Sequence, residues 1–160
     1  MEAKQIVVFK LEGHDFGIDI KNVLEILSYE PIRPVPAEAD FVEGILNVRG
    51  KVYTIFSMRK RLLMPTQEKD NDSKIILLHL EKYRVGFLVD QVAEILNIDE
   101  IEIEEKPEMI DTKHRSCIEG IVKQDDRMII VLDVNRLITS EGKIFVQGVS
   151  DEHYSSSDAK

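Results

Sequence analysis

DFGIDIKNVLEIL at residues 15–27 returns as RVGFLVDQVAEIL at residues 84–96. Aligned, the two stretches share Gly17 with Gly86, Val23 with Val92, Glu25 with Glu94, Ile26 with Ile95 and Leu27 with Leu96. A second echo follows in the same order. FVEGILNVRGKVYTIFSMRKRL at 41–62 matches CIEGIVKQDDRMIIVLDVNRLI at 117–138, so that Glu43, Gly44 and Ile45 meet Glu119, Gly120 and Ile121. Two echoes in one order, at nearly one spacing, describe a duplicated unit of about 70–75 residues. Duplication creates a seam between halves, and seams are where ligands and partners sit.

Working outward from the echoes, the periodicity is that of strands. QIVVFKL at 5–11 and KIILLHL at 74–80 are β-branched and apolar, and each precedes its copy of the first echo. Gly17 and Gly86 sit just inside the next strand, where glycine permits a bulge or a close approach. VLEIL and VAEIL then predict short, buried strands. PIRPVPAEADF at 31–41 carries three prolines and reads as a connection with at most one helical turn around 37–41. NIDEIEIEEKPEMIDTKHRS at 97–116 fills the equivalent place and is longer, with Ile101 and Ile103 alternating among acids as in an exposed edge strand.

The second echo supplies strands at 43–48 with 51–57 and at 119–124 with 127–133. Their turns contain Arg49-Gly50 and Asp125-Asp126, residue types suited to hairpins. Each copy closes in a short amphipathic segment, SMRKRLL or DVNRLI. MPTQEKDNDS at 64–73 is the loop between copies, and QGVSDEHYSSSDAK at 147–160 reads as a frayed tail. Each half thus holds about five short strands and no long helix, which predicts an all-β fold of two small coiled barrels side by side. The expected boundaries are a domain over 1–146 and a flexible tail over 147–160. Within the domain, the first barrel takes approximately 15–65 with 144–146 or 5–14, and the second takes 74–140.

Composition narrows the function. The 160 residues carry a formal net charge of −9, which opposes general binding to nucleic acid or anionic membrane. Apolar runs such as IILL at 75–78 are far shorter than the about 20 residues of a membrane span, so no membrane insertion is expected. The start, MEAKQIVVF, has no signal-like apolar stretch, which predicts a cytoplasmic protein. Arg59, Lys60 and Arg61 form a local basic run, read as a solvated helix face or rim. The single cysteine, Cys117, replaces Phe41 in the second copy and reads as a small packed hydrophobe.

Reactive constellations do not converge. His14, His79, His114 and His153 are scattered without zinc-ligand spacing, and His79 reads as a core or edge histidine. There is no phosphate-binding glycine loop and no nucleophile elbow. No catalytic residue, cofactor or metal is therefore assigned. Repetition of Glu43-Gly44 suggests residues that serve the fold, glycine for backbone approach and glutamate for a turn hydrogen bond. Glu25 and Glu94 also repeat, which suggests a structural role. NVRG does not repeat, since KQDD stands in its place, so Asn47 and Arg49 are the residues freest to serve a partner. The alternative for Arg49 is a hairpin-turn arginine paired with a nearby acid.

FVEGILNVRG and SMRKRL, then VGFLVDQVAEIL and IEGIVKQDDRMIIVLDVNRLI, resemble the CheW family of chemotaxis coupling proteins over residues 5–146. The resemblance implies two tandem SH3-like five-stranded barrels around a shared apolar seam. It implies a non-catalytic adaptor bridging the cytoplasmic tips of chemoreceptors to the regulatory domain of the histidine kinase CheA, recruited to membrane-associated arrays. By the same resemblance the receptor-facing residues are Val23, Glu25, Gly44, Asn47 and Arg49, with Val89 and Val92. Kinase contacts are not assigned, and self-association in array rings stays open. Thr54 stands where the family commonly has proline, and Ser57-Met58 replaces an acidic or amide residue followed by leucine. A CheW-like module of another two-component assembly, a generic SH3-like binding module and an unrecognised enzyme are the alternatives. The sparse aromatics, 6% with no tryptophan, argue against a proline-peptide groove.

Overall fold

The computed structural model describes residues 3–37, 39–66, 68–99, 102–105 and 117–139. The 147–160 tail, residues 144–146, His114, His153 and Ile101 lie outside the described residues. The first half runs β1 (Ala3–Leu11), β2 (His14–Asp19), β3 (Val23–Ser28), β4 (Val42–Val48), β5 (Lys51–Ser57) and α1 (Met58–Arg61). The second runs β6 (Lys74–Leu78), β7 (Val85–Val89), β8 (Gln91–Asp99), β9 (Ile103–Glu104), β10 (Ile118–Gln124), β11 (Arg127–Leu132) and α2 (Val134–Thr139). The protein is mainly β, and both hairpins expected from the second echo are present as β4–β5 and β10–β11. The short helices start alike. Ser57 Oγ accepts from the Lys60 amide at 3.2 Å, and Asp133 Oδ1 accepts from the Arg136 amide at 3.3 Å, so Ser57 still caps its helix.

Sheet membership does not follow the halves of the sequence. One sheet has the order β8-β1-β2-β11-β10-β9, the other β3-β6-β7-β5-β4. Replacing each strand by its counterpart in the other copy turns the five-stranded order into β8-β1-β2-β11-β10, so the molecule has an internal pseudo-twofold relation. Each half lends its first hairpin, β1–β2 or β6–β7, to the three remaining strands of the other half. Each hairpin joins the other half by one antiparallel pairing, β1 with β8 or β6 with β3, and one parallel pairing, β2 with β11 or β7 with β5. β9 lies at the sheet edge through Ile103, the edge position its acidic surroundings predict.

Among the described residues three apolar clusters follow from this arrangement. Ile6, Val8, Ile98, Val122, Ile129 and Val131 fill one sheet; β8 and β10 share the cluster although far apart in strand order, so the sheet is curled. Leu46, Val48, Ile55, Ile75 and Leu77 fill the other. Between the sheets lies a larger cluster that includes Phe9, Phe16, Phe56, Phe87 and Leu137. Alternation along β1 serves two of these at once, with Ile6 and Val8 facing one cluster and Val7 and Phe9 the other.

Two expectations about local structure change. VLEIL and VAEIL are not buried: β3 and β8 are edge strands, where a strand has a neighbour on one side only, and Leu24, Ile26 and Ile95 are exposed. The bulges do not fall at Gly17 and Gly86, which pair in register with Val8 and Leu77. Register shifts fall instead at Val23/Glu25 and Val8/Phe9, and at Val42/Gly44 and Ile118/Gly120. Glu43 and Glu119 are thus the extra residues of matching bulges. Glu43 bonds Lys60 and Lys69 at 3.4 and 3.3 Å rather than closing a turn.

The repeated Gly44 and Gly120 have one cause. A Cβ on Gly44 would land inside the Arg33 carbonyl, and one on Gly120 would lie 2.6 Å from the Glu104 carbonyl oxygen. In each copy a connecting segment crosses there, Arg33 bridging Ile45 and Glu104 pairing with Ile121. Gly50 differs: nothing lies near its missing Cβ and its φ of 84° acts alone, whereas Gly44 adds a φ of 151° to the crossing. Gly50→Ala should therefore cost about 1 kcal/mol, from conformation alone. Gly44→Ala should cost more, about 2–3 kcal/mol, because backbone must move. Urea unfolding of both variants checks the order, and the reverse order would refute the crossing argument.

Candidate partner-binding surface

The turn between β4 and β5 presents two of the residues singled out by sequence. Arg49 and Gly50 both have positive φ, 51° and 84°, a primed turn that suits the twist of a hairpin. Asn47 holds the turn: its Oδ1 accepts from the Gly50 amide at 2.9 Å. Arg49 reaches from this turn to β3, where its two terminal guanidinium nitrogens meet the Glu25 carboxylate, Nη1 at 3.4 Å from Oε2 and Nη2 on Oε1. β3 and β4 are opposite edges of their sheet, so the pair spans the mouth of the curled sheet. Arg49 remains open to solvent, with a side-chain exposure of 70%.

The second copy rebuilds this pair from a different position. Asp125 occupies the place of Arg49, yet Arg127, two residues on, donates from Nη1 to Glu94 Oε2 at 2.8 Å. Its Nε also meets Asp15 Oδ2 at 3.3 Å, and Lys10 joins that carboxylate at 3.0 Å. The repeated glutamates are therefore structural in the same way, each taking an arginine from its own hairpin. Arg49 is not unusual in pairing; it is unusual in exposure, since the side chain of Arg127 is 32% exposed.

The apolar residues of the predicted surface gather on the seam. Val23 and Val92 are half-buried and pack on the central cluster, to which Val89 belongs outright at 2% exposure. Val89 therefore contributes packing rather than surface, and Gly44 lies under Arg33. The structure brings Glu25, Asn47 and Arg49 together at one hairpin, with Val23 on the same strand as Glu25, while Val89 and Val92 flank the turn at Asp90. His79 is exposed beyond the end of β6, its amide bonded to the Asn22 carbonyl at 2.8 Å, which corrects the core or edge reading. Cys117 is buried as expected.

The basic run at 59–61 is not a solvated face. Arg59 is 7% exposed. Its Nε donates to Asp90 Oδ1 at 2.8 Å, its Nη2 donates to Oδ2, and its Nη1 donates to the Pro65 carbonyl at 2.8 Å. The Glu12 amide adds a bond to Asp90 Oδ2 at 2.8 Å. Arg61 lies over the Phe41 ring at 5.3 Å and donates to the Leu137 carbonyl at 3.0 Å. Sequence reasoning missed these arginines, though a signal was present: Arg59 and Asp90 are opposite charges whose counterparts, Asn135 and Lys21, form no such match.

Comparison with known proteins agrees with this architecture. Residues 5–142 match the family described as CheW-like domain. The chain is 30% identical over 139 residues to the chemotaxis protein CheW of Bacillus subtilis, covering 87% of this chain and 89% of that one. It is 31% identical over 144 residues to the chemotaxis protein CheW of Treponema pallidum, covering 88% and 85%. The crystal structure of the scaffolding protein TtCheW from Thermoanaerobacter tengcongensis superposes with a TM-score of 0.79 at 36% identity, covering 89% of this chain and 92% of that one. Fold and surface thus define a two-sheet β scaffold with a seam between its sheets. The chain belongs to the CheW family of chemotaxis scaffold proteins.

Two part-buried carboxylates, Asp90 and Asp15, make the stability of this region depend on pH. Burial pushes the Asp90 carboxyl up, but the Arg59 hydrogen bond, the Glu12 amide and the Arg59 charge together hold it below its ordinary value. For Asp15, burial is likewise outweighed by hydrogen bonds and charge from Lys10 and Arg127. A carboxyl held low in the folded state contributes stability above its unfolded value and loses it as pH falls through the lowered one. The urea midpoint should therefore fall with acidification below about pH 5. Asp90→Asn should start lower at neutral pH and lose less over that interval. An unchanged acid slope in the variant would refute the assignment.

Proposed function

We propose that this chain is a non-catalytic adaptor that couples transmembrane chemoreceptors to the histidine kinase CheA. The observation that carries this reading is the family match over residues 5–142, nearly all of the described chain. Two features support it physically. The sheets share one central cluster, so surfaces on each stand at fixed geometry. The Glu25–Arg49 pair is exposed at a turn and bordered through Val23 by the apolar rim of the seam. A receptor helix bundle would lay apolar residues along Val23 and Val92, with Arg49 exchanging part of its bond to Glu25 for an acid on the receptor. Such contacts can be weak singly, because an array multiplies them through effective concentration. Among the described residues no helix is long and apolar enough to cross a membrane, and the reading places the protein in the cytoplasm, recruited to receptor arrays.

The test is reconstitution. Purified protein is mixed with a chemoreceptor signalling fragment and with CheA, separately and together, while kinase autophosphorylation is followed. Receptor control of the kinase that appears only on adding this protein would establish coupling; binding to neither partner would remove it. Arg49→Ala should leave the melting temperature nearly unchanged, since the pair is exposed, while kinase stimulation falls. A large loss of stability with coupling intact would reverse that assignment.

A further inference from the structure

SMRKRL places Arg59 in one copy only, and the structure buries it where four segments meet. It belongs to α1, grips Asp90 between β7 and β8 with two nitrogens, reaches Glu12 of the β1–β2 turn at 3.9 Å, and donates to the Pro65 carbonyl. Asp90 is the single residue between the ends of those two strands, a bend at which the chain passes from one sheet to the other. Its amide also donates to the Lys10 carbonyl at 3.1 Å.

Ladder pairing holds both ends of this bend, Val89 against Lys74 and Val92 against Phe9, and Val89 packs in the central cluster. Beside Val89 and Asp90 opens a cleft of about 390 Å³ whose wall is polar, with Lys60, Glu68 and Lys69 among its residues. On that polar side, a planar guanidinium held by two bonds adds a fixed position and orientation at Asp90. The opposite copy has Asn135 and Lys21 at the two places, so this clamp exists on one side of the molecule.

We propose that Arg59 is a positioning residue for receptor binding: through Asp90 it holds the Val89–Val92 turn so that Val92 lies on the rim of the seam. This inference rests on the receptor-binding reading above. Preorganising one apolar rim residue spares the ordering cost that docking would otherwise carry.

Arg59→Lys keeps the charge and removes the planar fork; Asp90→Asn keeps the shape and removes the acid. Both are measured as full chains well below their melting temperatures. Two readouts are taken, affinity for the receptor signalling fragment and amide hydrogen exchange. We expect affinity to fall about tenfold in each variant. Exchange should quicken at residues 89–92 while the 47–50 hairpin stays as in the wild type. Wild-type affinity in a folded variant would overturn the proposal, and so would exchange that quickens throughout the chain, which would make Arg59 a general stabilising residue. If the unaltered protein fails to bind the receptor fragment, the receptor reading falls. The receptor-positioning role falls with it, and exchange then reports only whether Arg59 holds residues 89–92.

Discussion

Neither half of this chain can complete a sheet alone. β1 and β2 hydrogen-bond to β8 and β11, while β6 and β7 hydrogen-bond to β3 and β5, so each hairpin is useful only in the presence of the other half. The same exchange creates the central cluster. Phe9 and Phe16 enter from one hairpin, their centroids 6.0 Å apart, and Phe87 of the other hairpin lies 6.2 Å from Phe56. Truncating one fully buried phenylalanine costs about 3–5 kcal/mol, a large share of the stability of a domain this size. Swinging the sheets apart would expose this cluster, and pulling a hairpin out would leave a row of unpaired backbone groups. The two sheets are therefore held as one body, which is the property a scaffold has to have.

Much of this was legible in the sequence because duplication and alternation are local signals. The repeated VEGI and IEGI, with alternating apolar residues beyond them, located β4–β5 and β10–β11 and marked Gly44 and Gly120 as places of close backbone approach. Alternation says which face of a strand is buried, however, and not which strand lies beside it. VLEIL and VAEIL therefore looked like interior strands although both are edges. Strand exchange was hidden for the same reason: the parallel joins β2–β11 and β5–β7 link residues far apart in sequence and leave no mark on spacing. Charge was misread where pairing was long-range. The run at 59–61 looks solvated until Asp90 and the Leu137 carbonyl are brought to it.

The candidate surface was half legible. Comparing the copies drew attention to Asn47 and Arg49, and the hairpin does present both. The reasoning that a fold-required residue must recur at the same position was too strict. A cation stands opposite Glu25 and opposite Glu94, and it comes from position 49 in one copy and from position 127 in the other. Long flexible side chains allow this substitution of position, whereas a glycine under a crossing carbonyl has no alternative site. Internal repetition is thus a strict guide to backbone requirements and a loose one to ion pairs.

Where the copies touch each other, divergence has a different origin. Arg61 and Leu137 occupy equivalent places, and Arg61 Nε bonds the Leu137 carbonyl at 3.0 Å. Phe41 and Cys117 are also equivalent, and the same guanidinium lies over the Phe41 ring and 3.4 Å from Cys117 Sγ. Equivalent residues that meet lie close to the axis relating the halves, and there two bulky side chains compete for one space. A phenylalanine and an arginine from one half leave room for a cysteine and a leucine from the other. Packing density makes such complementarity a requirement rather than an option. The loss of symmetry at 41, 61, 117 and 137 therefore follows from duplication itself. At the exposed 47–50 turn no such crowding acts, because solvent surrounds Arg49 and no equivalent residue faces it. Divergence there is free of the packing constraint, which is why that turn, and not the equally divergent seam, is where a partner's demands can be read.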